Sequence, residues 1–174
     1  MLLLIVEMLK KRLGAEGIEK VWSEGHISYY YKIPTSIIIP EGCKEIGYYA
    51  FLDCRKLKKV EIPGSVKSIG VHAFNGCYNL KEVVIPEGVE SIGHYAFYCC
   101  RDLKKVEISG SVEYIDSWAF GGCENAEVIL KKPWSEFKGI ASNAFMNCKS
   151  VRAMGADEIR SLRLLEEFLT AKTC

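Results

Sequence analysis

Eight cysteines and three histidines are the side chains of this 174-residue chain best suited to nucleophilic, redox or metal chemistry. Five of the cysteines, Cys54, Cys77, Cys100, Cys123 and Cys148, stand 23, 23, 23 and 25 residues apart, while Cys43, Cys99 and Cys174 fall outside that ladder. A thiol repeated at one register is a packing choice, because a nucleophile needs one activated environment and not five equal ones. The spacing is not that of paired disulfides and lacks the Cys-x-x-Cys step of a zinc knuckle, so buried, reduced cysteine is expected. His72 and His94 would be diagonal neighbours in a stacked chain, but a metal there would need two further ligands that their rows do not offer. No glycine-rich phosphate loop, His-Glu-x-x-His helix or Gly-x-Ser-x-Gly elbow occurs. The reading is a non-enzyme with no catalytic residue, no bound metal and no cofactor.

Composition narrows the partners. Apolar residues make up 49% and charged residues 26%, the balance of a globular domain. Twenty-three basic side chains face 22 acidic ones, which argues against general nucleic-acid binding. The opening run Met1–Val6 is followed, not preceded, by the basic Lys10-Lys11-Arg12, and six apolar residues are far fewer than the roughly twenty of a membrane helix. No signal peptide, no transmembrane segment and an intracellular or virion location are therefore expected.

The cysteine ladder belongs to a longer internal repeat. Written in 23-residue lines from Ile37, the second line (Val60–Glu82) and the third (Val83–Lys105) agree at 12 positions. Across the joins between lines runs Leu-x-x-Val-x-Ile-Pro, as in Leu57–Pro63 and Leu80–Pro86, with Ser109 in place of proline after Ile108, an alternation that predicts a short strand ended by proline. A polar turn follows, and then Val-x-x-Ile-Gly-x-x-Ala-Phe-x-x-Cys, as in Val66–Cys77 and Val89–Cys100. One such unit cannot bury its own apolar side, but stacked units can, with Leu on Leu, Phe on Phe and Cys on Cys. The fold class predicted is an α/β-type repeat solenoid, an arc of about five 23-residue rungs with a short parallel β-sheet and terminal capping helices.

The strings Ile62–Cys77 and Ile85–Cys100 resemble the BspA-type leucine-rich repeat, over about Ile37–Val151. That resemblance implies a curved solenoid used for protein recognition, found on bacterial and protist surfaces and, unsecreted, in some large DNA viruses. The flanks resemble the unsecreted viral members, such as those of marseilleviruses. The chain departs from the pattern at Ser109, at Ala126 and where Lys131–Trp134 lengthens the last unit.

Three segments are expected: an N-terminal helix and cap over residues 1–36, the solenoid over 37–151, and a C-terminal capping helix over 152–174. Residues 1–13 read as a buried helix that either caps the stack or docks on another chain as an assembly contact. Ile27, Tyr29, Tyr31 and Ile33 alternate as a lead-in strand would, and Asp157 could cap a helix carrying Ile159, Leu162, Leu165 and Phe168.

Two outward rows are the candidate partner-binding residues. Along the concave face run Lys58, Lys81 and Lys104, then Lys59, Glu82 and Lys105, then Glu61, Val84 and Glu107. They read either as solvated ladders held by weak cross-strand Lys–Glu pairs or as a docking surface for an acidic partner. No aromatics interleave them, which disfavours single-stranded nucleic acid. The second row, Tyr49, His72, Tyr95, Trp118 and Asn143, would stack one rung apart and serves either recognition or its own packing. Function is read as a protein–protein interaction module with a partner of unknown identity, or as a structural component of a larger assembly such as a viral capsid-associated layer.

Overall fold

The computed structural model describes residues 35–154 and the short strands at 22–23 and 26–27. The first arm of each repeat is extended because β-branched Val and Ile alternate with polar residues, burying one face. It gives β3 (Ser36–Ile38), β5 (Lys59–Glu61), β7 (Glu82–Ile85), β9 (Lys105–Ile108), β11 (Glu127–Leu130) and β13 (Ser150–Ala153), all parallel in one six-stranded sheet. The second arm supplies β4 (Glu45–Ile46), β6 (Ser68–Ile69), β8 (Ser91–Ile92), β10 (Tyr114–Ile115) and β12 (Gly139–Ile140), a five-stranded parallel sheet. At the leading end, β1 (Trp22–Ser23) and β2 (His26–Ile27) pair antiparallel. The expected lead-in strand is thus described only at Ile27, and the rest of it lies outside the described residues. The capping helices expected at 1–13 and beyond Asp157 also lie outside them.

The α/β label needs correction. Among the described residues there is no α-helix, only a 3-10 turn at Trp134–Glu136. The chain reverses between Gly and Cys by consecutive tight turns: Ala73 N–H donates to Gly70 O, Asn75 N–H to His72 O and Cys77 N–H to Phe74 O, each at 3.2 Å. Two positions per rung sit at left-handed φ: Tyr49, His72, Tyr95 and Trp118 in one row, and Asp53, Gly76, Cys99, Gly122 and Asn147 in the other. For a non-glycine residue that conformation costs about 1–2 kcal/mol. Bonds between rungs hold it, as when Tyr49 N–H meets Val71 O at 3.0 Å and His72 N–H meets His94 O at 2.9 Å.

The core is a set of columns. Phe51, Phe74, Phe97, Phe120 and Phe145 stack with centroids 5.0, 5.0, 5.0 and 5.6 Å apart, close to the spacing of paired strands. Leu57, Leu80 and Leu103 form a second buried column beside them. Proline stands just after β3, β5 and β7, but after β9 Ser109 instead adds a rung bond, its N–H donating to Ile85 O at 3.1 Å and its buried hydroxyl to Pro86 O at 2.8 Å. The extra residues of the last unit fold over the end of the Phe column. Trp134 meets Phe145 edge-on at 6.3 Å, and the Lys132 ammonium lies 4.4 Å from the centroid of Phe137.

Phe97→Ala removes a ring stacked on both sides, and is expected to cost about 3–5 kcal/mol in urea unfolding. Tyr48→Ala, at an exposed turn, should cost less than about 0.5 kcal/mol.

Candidate functional site

The outward face of the six-stranded sheet is fixed by register. Lys59 pairs with Glu82, Glu82 with Lys105, and Lys105 with Glu127, so one row alternates in sign up the stack. Two residues on, Val84 faces Glu107 and Glu107 faces Ile129, with Glu61 and Ile38 completing the row on the leading rungs. Val84 is 54% exposed and Ile38 58%, unusual for apolar side chains on a formed sheet. Lys58, Lys81 and Lys104 precede these rows, tied by Lys81 N–H to Lys58 O and Lys104 N–H to Lys81 O. A shallow depression lined by Lys58, Lys59, Glu61, Lys81, Glu82 and Val84 opens over the leading rungs.

Charge pairing here differs from the expected cross-strand Lys–Glu ladders. Lys59 bonds Glu61 at 2.7 Å and Lys105 bonds Glu107 at 2.6 Å, both within one strand. Side chains two apart on a strand share a face, and a lysine stem easily spans that distance. Bridges between rungs exist at Lys131–Glu107 (2.7 Å), Lys149–Glu127 (2.6 Å) and Lys81–Asp102 (2.5 Å). Two ammonium groups therefore converge on Glu107 and pull its carboxyl down to about 2 from an ordinary 4.5.

The aromatic row stacks as four rings. Tyr49–His72, His72–Tyr95 and Tyr95–Trp118 centroids are 5.0, 4.9 and 6.5 Å apart and nearly parallel. Tyr98 closes the wider gap, edge-on to both Tyr95 and Trp118. Gly121 makes this possible, because a Cβ there would stand 2.5 Å from the indole. Asn75 Nδ2 lies 2.7 Å from His72 Nδ1, and partial burial, followed by the charge of His94, lowers the His72 pKa. Asn143, on the last rung, does not continue the left-handed row. Among the described residues no hydrogen bond, ion pair or ring contact joins this row to the sheet-face rows. The sheet-face residues are mostly exposed and the aromatic row is mostly half-buried, and the two form separate surfaces.

Comparison with known proteins now bears on this geometry. The pattern of the BspA type leucine rich repeat region matches residues 25–152 in six copies. The chain belongs to that family. Among solved structures this BspA-type repeat chain is similar to a T. pallidum leucine-rich repeat protein (TpLRR) at 28% identity and TM-score 0.64, covering 80% of this chain and 70% of that one. A leucine-rich cell surface protein from Faecalibacterium prausnitzii A2-165 matches at 25% identity and TM-score 0.52, over 66% of this chain and 35% of that one. A Bacteroides ovatus leucine-rich repeat protein, at 24% identity and TM-score 0.51, shares the fold over 78% of this chain and 45% of its own. The chain thus spans less than half of the latter two proteins. Comparison with curated proteins finds no match.

The repeat's thiols are structural in geometry. Cys77, Cys100, Cys123 and Cys148 each donate S–H to a Phe carbonyl, Phe51, Phe74, Phe97 and Phe120 respectively, at 3.1–3.3 Å. Burial pushes the Cys54 thiol up to about 12 and raises Cys77, Cys100 and Cys148 as well. A protonated, enclosed thiol is a poor nucleophile. His94 Nε2 lies 3.8 Å from Asp116 Oδ2, with both side chains half exposed. Among the described residues no group of three or more His, Cys, Asp or Glu side chains could hold a metal ion, and no helix is long and apolar enough to cross a membrane.

One feature of the repeat escaped the sequence reading. Arg55 and Arg101 approach the Tyr78 ring from the rungs on either side, 5.2 and 5.3 Å from its centroid. All three residues directly follow a ladder cysteine, so the same 23-residue lines would have exposed the alternation.

Glu107 should titrate at about 2 by carbon-detected NMR. Because its pKa is depressed in the folded chain, its stabilisation is complete above about pH 4.5 and is lost as pH falls toward 2. Lys131→Gln should move the titration upward. In native alkylation at pH 8 with peptide mapping, the partly exposed Cys43 and Cys99 should label while Cys54, Cys77, Cys100, Cys123 and Cys148 stay unmodified until denaturant is added.

Proposed function

We propose that this BspA-type repeat is a non-catalytic protein–protein interaction module that docks its partner on the outward face of the six-stranded sheet. One observation carries the reading: exposed Val84 sits among Glu61, Glu107 and their lysines on a surface held rigid by parallel pairing. An apolar side chain ringed by polar groups is the usual composition of a recognition patch, with the charges setting orientation. Candidate contact residues are Lys58, Lys59, Glu61, Lys81, Glu82, Val84, Lys104, Lys105 and Glu107.

The aromatic row is the weaker candidate. Tyr49, His72, Tyr95 and Trp118 spend their faces on each other, leaving mainly edges for a partner. The non-catalytic part of the proposal is supported by thiols that burial keeps protonated. A viral setting, and with it a place in a virion layer, rests on flanking segments outside the described residues; no described surface favours it over docking. The F. prausnitzii neighbour is a cell surface protein, and a sheet face of this kind would serve in that setting as well.

A photo-crosslinking side chain placed at Val84 in the full chain should trap a partner from the native source, whereas one at Tyr95 should not. Trapping at Tyr95 alone would move the site to the aromatic row. Trapping at neither position would refute the docking reading.

A further inference from the structure

Two neighbouring rows of the same sheet treat charge in opposite ways. Lys59, Glu82, Lys105 and Glu127 alternate in sign, which is the stabilising arrangement for side chains stacked at strand spacing. The row beside it sets Lys58, Lys81 and Lys104 on consecutive rungs, like charge against like, which is the destabilising arrangement. Only the middle lysine has relief, from Asp102 at 2.5 Å. Lys58 and Lys104 carry no ion pair among the described residues. Three residues before each of them stand Arg55 and Arg101, flanking Tyr78. Arg55 has one carboxylate, Asp53, at 3.7 Å, and Arg101 none among the described residues.

Under-compensated cations therefore gather at the leading edge of the sheet on alternate rungs, in a chain whose net charge is only +1. Like charge on consecutive rungs at Lys58, Lys81 and Lys104 is a cost that internal packing does not account for, although the Tyr78 ring draws the two arginines to it. A guanidinium held over a tyrosine ring also keeps N–H groups to offer a carboxylate, which it can grip as a bidentate fork. We infer that the leading edge of the six-stranded sheet, gripped by Arg55, Arg101, Lys58 and Lys104, binds an acidic protein segment whose carboxylates lie about 10 Å apart, the separation of two rungs. This deepens the docking reading and rests on it.

A protein segment fits better than a nucleic acid. Glu61, Glu82 and Glu107 share the surface and would repel an unbroken phosphate backbone, whereas a peptide can space its carboxylates and lay an apolar side chain on Val84. Guanidiniums already lie against the Tyr78 ring, so it offers no platform for a base.

Fluorescence anisotropy with the full chain and a labelled Glu-Leu-Ser repeat peptide, whose carboxylates stand about 10 Å apart when extended, tests this. Binding is expected at low ionic strength and should weaken as salt is added. Arg55→Gln with Arg101→Gln should weaken it about tenfold, as should Lys58→Gln with Lys104→Gln. Lys67→Gln with Lys138→Gln, on the other sheet, should leave it unchanged, and Arg55→Lys with Arg101→Lys should give an intermediate loss, since the charge stays but the fork is gone. Circular dichroism verifies that each variant is folded. Equal losses in every pair, no loss in the arginine pair, or tighter binding of a single-stranded oligonucleotide or heparin than of the Glu-Leu-Ser peptide would each overturn the inference. If it fails while crosslinking at Val84 persists, the sheet docks a partner that is not acidic. If that crosslinking is lost too, the docking reading itself falls.

Discussion

Register between rungs is the constraint on which everything else in this chain depends. A 23-residue unit has too little apolar surface to hide from water alone, so its stability is borrowed from the units on either side. The borrowing works only if like meets like. Phe97 is buried because Phe74 and Phe120 lie parallel to it at 5.0 Å, and a slip of one residue would put Ala73 or Asn75, and Ala119 or Gly121, where those rings stand. The thiol column obeys the same rule from the other side. Each Cys S–H reaches the Phe carbonyl one rung back, so a cysteine serves at once as a small apolar filler and as a weak second donor to a carbonyl that already accepts a backbone N–H within its own turn.

The same register explains why aromatic residues tolerate left-handed backbone. The row at Tyr49, His72, Tyr95 and Trp118 lacks glycine altogether, although a positive φ penalises every one of them. Ring stacking at about 5 Å and inter-rung backbone bonds offset the cost. The row ends at the last rung. Asn143 leaves the left-handed region although Gly139 and Ile140 before it keep register with Tyr114 and Ile115, and the ring stack ends at Trp118, whose indole is accommodated only because residue 121 has no side chain.

What could be read from the sequence follows from this. Columns are legible because repetition marks them: Phe51, Phe74, Phe97, Phe120 and Phe145 and the five ladder cysteines were placed correctly from spacing alone. The local path of the second arm was not legible, because two-residue strands and tight turns carry no periodicity of their own, and Ile-Gly-x-x-Ala-Phe reads equally well as helix. Side-chain pairing was only half legible. Opposite charges one rung apart suggested Lys–Glu bridges between strands, yet Lys59 and Lys105 reach along their own strands to Glu61 and Glu107. Such choices depend on stem length and rotamer, which spacing does not encode.

A finer repeat of two rungs runs through the molecule, and it bears on function more than the single-rung period does. The turns alternate Glu41-Gly42, Gly64-Ser65, Glu87-Gly88 and Gly110-Ser111, and they interlock, with Gly42 N–H on Ser65 Oγ at 3.0 Å and Gly88 N–H on Ser111 Oγ at 3.1 Å. Gly88, at φ +103, admits no side chain there, since a Cβ would collide with the Gly64 carbonyl. Packing thus has a use for alternation at the turns. At the leading edge of the sheet the order is shorter, Arg55 and Arg101 flanking Tyr78 before Glu124 follows on the next rung, and packing has no use for the like-charged Lys58, Lys81 and Lys104 beside them. Core positions must repeat on every rung because each fills the same column, whereas exposed positions are free to vary. Order that appears where packing does not demand it, and that sets like charges side by side, is order imposed by what the surface meets.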